Sequence, residues 1–178
     1  MPIDHPAAAR LKAQFPALAF QAAEFRGQAQ IVIPREHLLE IVGFLKADPA
    51  LSYDMLADIS CVDYLGYPAP TAADHGRFGL VYIFNSVKAG TGGSPRLILR
   101  VFLNEPAIEV DSLVPLFAGA EWLEREVFDM FGIRFRNHPD LRRILTWDTF
   151  EPNPLRKDYP VTGKGERENY PIINRESA

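Results

Sequence analysis

Acid–base catalysis needs carboxylates held close together, and Glu124, Glu126 and Asp129 supply three within six residues, with Arg125 among them. A short way downstream, His138 with Asp140, Asp129 and Asp148 offers the side-chain types of a metal site. Arg142 and Arg143 add two guanidinium forks of the kind that grip phosphate. Cys61 is the only thiol, and Thr162-Gly163-Lys164-Gly165 faintly resembles a phosphate loop.

Each of these has a plainer reading. Cys61 lies in an apolar run from Ile59 to Val62, where a thiol behaves as a small buried hydrophobe. One cysteine forms no intramolecular disulfide and no self-contained iron–sulfur cluster, and it fits a reducing compartment such as the cytoplasm. The Gly163 loop lacks the first glycine and the Ser or Thr after lysine that a phosphate loop uses. Pro139 separates His138 from Asp140, so the two are not a helical ligand pair, and His5, His37 and His75 are scattered elsewhere. No nucleophile accompanies the carboxylates. Structural or interface roles are therefore the preferred readings for all of them, and no catalytic, cofactor-binding or metal-binding residue is assigned.

The elements that must hold these residues are legible in outline. Glu121 to Phe131 is predicted to be a helix ending at Gly132, with a buried stripe of Leu123, Val127, Met130 and Phe131. Its i, i+4 spacing pairs Glu121 with Arg125 and Arg125 with Asp129. The helix is acidic and the segment after it basic, through Arg134, Arg136, Arg142 and Arg143, so a turn near Gly132 would bring the two into a salt-bridge network. Upstream, a short helix at Ala7–Gln14 precedes a hairpin about Arg26-Gly27. A second helix opened by Pro34 carries Leu38, Leu39, Ile41, Val42 and Leu45 and stops at Asp48-Pro49. Met55–Tyr64, Arg77–Val87 and Arg96–Leu103 read as strands. The last alternates well enough to argue an antiparallel sheet packed on one side. Asp111–Phe117 is predicted to be a short helix capped by Asp111 or Ser112.

The expected class is α+β: a small, mainly antiparallel sheet packed with helices, followed by an extended C-terminal arm. Three units are expected: an N-terminal extension at 1–35, a domain at 36–133, and a partner-binding arm and tail at 134–178. In the arm, Pro152, Pro154 and Pro160 forbid a continuous helix, while Trp147, Phe150 and Tyr159 suit docking onto another surface. The tail from Val161 onward is expected to be flexible or ordered only on assembly. A net charge of -4 gives no reason to expect nucleic acid. No leader and no apolar run near the ~20 residues of a membrane helix is evident, so any membrane association is expected to be indirect.

Three blocks then align with one family. Glu124-Arg125-Glu126 with Asp129-Met130-Phe131-Gly132-Ile133, His138-Pro139-Asp140-Leu141-Arg142-Arg143-Ile144-Leu145, and Pro154-Leu155-Arg156-Lys157-Asp158-Tyr159-Pro160 resemble the signature of the 30 kDa-type peripheral-arm subunit of respiratory complex I. The likeness extends more weakly through Val62-Asp63-Tyr64 to about Leu38. It implies an α+β domain beside the 49 kDa-type quinone-site subunit and neighbouring Fe–S subunits. FMN and the iron–sulfur clusters are then expected on partner chains, and quinone as the substrate of the whole complex. It also implies a non-catalytic structural role on the cytoplasmic side of a bacterial inner membrane, or the matrix side in a mitochondrion. Ending at Ala178, the chain is expected to be separate from its 49 kDa neighbour, with which it is sometimes fused. Related membrane-bound hydrogenases and photosynthetic-type dehydrogenases, with another electron donor, contain similar subunits. A stand-alone metal-dependent hydrolase built on His138 is the distant alternative.

Overall fold

The computed structural model describes residues 5–67, 75–87 and 96–165. Helix α1 (Pro6–Gln14) starts where His5 caps it, the imidazole Nδ1 accepting from the Ala7 amide, with proline in the first turn. Strands β1 (Gln21–Phe25) and β2 (Gln28–Val32) form the expected hairpin. Both residues of its turn, Arg26 and Gly27, have positive φ (52° and 76°), as a two-residue hairpin turn of this hand requires. A single 3₁₀ turn (Arg35–His37) leads into α2 (Leu38–Ala47), which buries Leu38, Ile41, Val42 and Leu45. The Asp48 carboxylate closes α2 by accepting from the Ala50 amide, and Arg10 of α1 pairs with it at 2.9 Å.

Strands β3 (Met55–Asp63), β4 (Phe78–Asn85) and β5 (Leu97–Leu103) complete a five-stranded sheet of order β1-β2-β5-β4-β3. Three of its four pairings are antiparallel, but β2 and β5 run parallel, so the sheet is mixed. A parallel neighbour needs a long crossover, here the whole α2–β3–β4 excursion. Strand β2, which falls within the expected 1–35 extension, is thus built into the sheet beside β5.

One face of the sheet, with Ile31, Leu80, Tyr82, Leu99 and Val101 fully buried, packs against the helices. Strand β6 (Glu109–Asp111) pairs in parallel with β7 (Arg134–Arg136), which falls within the expected 134–178 arm. The helix expected over Asp111–Phe117 does not form. Asp111 ends β6, and the Ser112 hydroxyl, accepting from the Val114 amide at 3.1 Å, caps only one turn, closed by Phe117 N–H to the Leu113 carbonyl. Helix α3 (Ala120–Phe131) follows and lies on β3. It ends at Gly132 with φ +78°, where an added Cβ would also stand 2.6 Å from Asn153 Oδ1. Among the described residues, no helix is long and apolar enough to cross a membrane.

Candidate interface scaffold built on helix α3

Helix α3 is amphipathic in an unusual sense, because three of its charged residues point inward. Glu124, Arg125 and Asp129 are all buried, and each meets a different partner. Glu124 is fully enclosed and accepts from the Ser112 hydroxyl and the Leu113 amide, both at 2.6 Å. Burial pushes its carboxyl up to about 7, against the pull of those two hydrogen bonds. The hydroxyl of Tyr82 is buried without a hydrogen-bond partner among the described residues, and its ionisation is pushed upward by burial and by the charge of Glu124.

Asp129 is equally enclosed but sits in the opposite environment. One carboxylate oxygen takes Arg143 Nη1 at 2.7 Å and the Thr146 hydroxyl at 2.5 Å. The other accepts from the amides of Ile144, Leu145 and Thr146 at 3.0, 2.8 and 2.9 Å. Burial acts to raise its carboxyl, yet these donors outweigh it and hold the group at about 2. The chain from Arg143 to Thr146 is thus wrapped around a single carboxylate.

Arg125 does not make the i, i+4 pairs expected with Glu121 and Asp129. Its guanidinium instead donates to the carbonyls of Arg142 and Arg143, each at 3.2 Å, and lies over the exposed Trp122 ring at 5.0 Å. The reason is competition: Asp129 is already filled by five donors, and two part-buried carbonyls stand within reach of the guanidinium. Glu126 faces outward. The expected acidic-to-basic network is therefore realised once as an ion pair, between Asp129 and Arg143, and otherwise through backbone carbonyls. Phe131 and Gly132 close the helix.

His138 links the arm back to the same helix. Its Nδ1 accepts from the Asp140 amide at 3.0 Å, which leaves Nε2 to donate to the Glu121 carbonyl at 3.1 Å, with Glu124 Oε2 4.0 Å away. Both ring nitrogens are thus engaged within the chain, and Asp129 has no lone pair to spare. The metal reading finds no geometry here, and among the described residues no other group of three or more His, Cys, Asp or Glu is placed to hold an ion. Pro139 and Asp140 lie at the surface, where Asp140 pairs with the exposed Arg142 at 2.8 Å. Arg143 is turned inward onto Asp129, Thr146 and the Glu151 carbonyl, so the two arginines do not form a joint phosphate grip.

The proline-punctuated segment is extended and turn-rich, but the surface it lies on through residue 159 is the domain's own. Asn153 Nδ2 donates to the carbonyls of Phe128 and Asp129 at 3.3 and 2.9 Å, and the Leu155 amide to that of Met130 at 3.1 Å. The Asp129 and Met130 carbonyls are among those an α-helix leaves without an amide partner at its C-terminus, whereas that of Phe128 also takes the Gly132 amide at 2.8 Å. Beyond them, Arg77 binds Asp63 through two nitrogens at 3.1 and 2.9 Å and reaches Glu105 and Asp158. Arg156 pairs with Glu105 and Asp158, the Lys157 amide donates to Asp63 at 2.9 Å, and Lys157 Nζ lies over Tyr67. Arg77 and Arg156 both pack over the Phe78 ring, at 4.7 and 5.1 Å. Tyr159 meets Phe150 edge to face, and Phe150 packs at a tilt of 57° against Trp147, with ring centroids 4.6 Å apart.

Sequence reasoning singles out neither Ser112 as the partner of Glu124, nor Thr146, Asn153, Arg77 and Glu105. A serine capping signal is visible at Ser112, but Asn153 between two prolines has no period to betray it. Of the tail expected from Val161 onward, residues 166–178 lie outside the described residues.

Residues 31–165 match the family described as the respiratory-chain NADH dehydrogenase 30 Kd subunit. The chain belongs to that family. Among its relatives, the C-type NADH-quinone oxidoreductase subunit of Geobacter metallireducens is 40% identical over 161 residues, covering 90% of this chain and 91% of the relative. Subunit 5 of the same enzyme in Thermus thermophilus is 41% identical over 136 residues, covering 76% of this chain and 63% of the relative. In three dimensions, a solved trypsin-resistant fragment of Nqo5 superposes with a TM-score of 0.64 at 34% identity, covering 76% of this chain and 99% of the fragment. A chain of the archaeal membrane-bound sulfane sulfur reductase gives 0.66 at 18% identity, covering 94% and 91%, and shares the fold. Within the matched residues, Glu124, Arg125 and Asp129 on α3 and His138 and Arg143 after it are joined in one internal scaffold.

Proposed function

We propose that this chain is a structural and assembly subunit of a proton-translocating NADH-quinone oxidoreductase. Its part is to hold the quinone-reducing module of the peripheral arm in place while electrons pass from NADH through FMN and Fe–S clusters on partner chains to quinone. The 49 kDa-type quinone-site subunit and the adjacent Fe–S subunits are the partners, and the chain is attached peripherally to the cytoplasmic face of the membrane, or to the matrix face in a mitochondrion. The observation that carries this reading is the cage around Asp129. Of the residues that resemble the family's signature, Glu124, Arg125, Asp129, His138 and Arg143 bond within the chain, which suits them to fix shape and not to react. A residue whose five bonds are all internal positions a surface for something else.

The test is to purify the tagged chain in mild detergent from its own membranes and run a native gel stained for NADH-quinone activity. Migration with a large flavin- and iron–sulfur-containing complex supports the reading; a small species without partners overturns it. Arg142→Ala should leave the melting temperature of the isolated chain unchanged while reducing the assembled complex. Full assembly with selective loss of turnover would instead point to a catalytic part for that arginine.

A second reading, an equivalent subunit of a complex with another electron donor, is favoured by the fold shared with the sulfane sulfur reductase chain. Copurification of an NADH-oxidising flavoprotein decides between the two.

A further inference from the structure

The helices cover one face of the sheet; the other face is chemically lopsided. On β1, β2 and β5 the outward positions alternate with the buried ones and hold glutamine, alanine, valine, isoleucine, phenylalanine and arginine, with no carboxylate among them. The only acid on these three strands, Glu24, stands opposite Ala29 on the inward side. In a chain whose net charge is -4, three adjacent strands thus present an outer surface without a single negative side chain.

Within that surface lies a cavity of about 240 Å³ whose lining includes Gln30, His75, Arg100 and Phe102 and, among the described residues, no acid. Arg100 is its one fixed charge among those residues. Its Nη1 donates to the Tyr64 hydroxyl at 3.3 Å, but among the described residues its buried Nε has no hydrogen-bond partner and it makes no ion pair. An unsatisfied donor on a charged group is costly, and a carboxylate is the acceptor that matches a guanidinium edge. Beside it the His75 ring packs 5.2 Å from Phe102; at the other end of β1, outside the cavity, Phe25 is 63% exposed with the Arg26 guanidinium 5.1 Å over it. Aromatic rings with arginine in one patch are the composition of an interface centre. The cavity is bounded by the exposed strand β1 and is smaller than the ~300–1,000 Å³ of sites that enclose a small ligand, which favours a side chain reaching in from a docked protein.

We propose that the outer face of β1, β2 and β5 is a docking surface for a neighbouring subunit, and that an Asp or Glu side chain of that subunit enters the cavity to pair with Arg100. This rests on the membership in a multi-subunit oxidoreductase argued above, and it names the partner's chemistry at a face that the family-marking residues do not occupy.

The experiment places a photo-cross-linking amino acid at Gln30 in the tagged full-length chain, expressed in its own cells, and maps cross-linked peptides after purification of the complex in mild detergent. The expected product is a peptide of another subunit bearing Asp or Glu at or beside the cross-link. Arg100→Glu should lower recovery of that subunit with the chain at least about tenfold, Arg100→Lys should retain most of it, and Asp or Glu→Arg at the mapped position should restore it with Arg100→Glu. Gln30→Glu, which supplies the cavity with a carboxylate of the chain's own, should weaken the same recovery while leaving the melting temperature of the isolated chain equal or higher. That variant keeps the test valid should Arg100→Glu fold poorly.

Cross-links only to lipid, to a second copy of this chain or to nothing would overturn the proposal, as would undiminished recovery with both Arg100→Glu and Gln30→Glu. If the wild-type chain is found outside any large complex, the proposed function falls and this inference with it. If the wild-type complex is intact and the variants assemble equally well, only the docking surface falls.

Discussion

Two carboxylates about one and a half turns apart on the same helix are shifted in opposite directions by what surrounds them. Asp129, at about 2 where a free aspartate lies near 3.8, stabilises the fold fully above pH 4 and loses that contribution as pH falls toward 2. The shift corresponds to about 2 kcal/mol. Asp129→Asn should remove this acid-dependent stability, so that urea midpoints of variant and wild type converge between pH 4 and pH 2. Parallel curves would show that the cage does not hold charge. Glu124 behaves in the reverse direction. Its folded-state value of about 7 exceeds the ordinary 4.5, so the folded chain binds a proton that the unfolded chain releases, and stability falls as pH rises from about 4.5 to 7. Glu124→Gln, which keeps an acceptor for the Leu113 amide, should flatten that slope, and a melt at pH 8 should then be higher than that of the wild type. An unchanged slope would mean the carboxylate stays ionised throughout.

At the scale of elements, the C-terminus of α3 is finished by residues far along the chain. Gly132→Ala meets two obstacles, a left-handed backbone costing about 1–2 kcal/mol and the Asn153 amide in the way of a new methyl group. Asn153→Ala should therefore reduce the penalty of Gly132→Ala in a double-mutant cycle; strict additivity would remove the contact from the account. Much of this level is readable in the residues themselves. Gly132 announces the helix end, and the alternation from Leu97 to Leu103 announces the strand. The turn at Ser112 is misread as a helix because a capping residue marks any turn that starts with αR geometry, whether or not it continues. The parallel pairing of β2 with β5 leaves no mark, since alternation specifies which face is buried and says nothing of a neighbour's direction. Nor does the sequence reveal where Arg125 turns, because the choice between a carboxylate and two carbonyls depends on which acceptors are already occupied.

Across the whole molecule, the segment read as an arm for another surface spends its polar groups on this one, through the Arg77–Asp63–Asp158 and Arg156–Glu105 pairs. The sequence shows that these residues bind something but cannot show to what, as charge and aromatic content are the same in an internal strap and an external one. Arg77→Ala should loosen residues 154–160, seen as faster hydrogen exchange there with the sheet unchanged; uniform exchange would mean the pairs are ornamental. One further consequence concerns time. A helix forms in about a microsecond, but synthesis proceeds at roughly 5–20 residues per second. Asn153, which closes α3 from 24 residues downstream, is made at least about a second after the helix it completes. During translation the residues of α3 thus precede the groups that cage Asp129 and bind its carbonyl, and a nascent chain remains distinguishable from a finished one until its final strap has been read out.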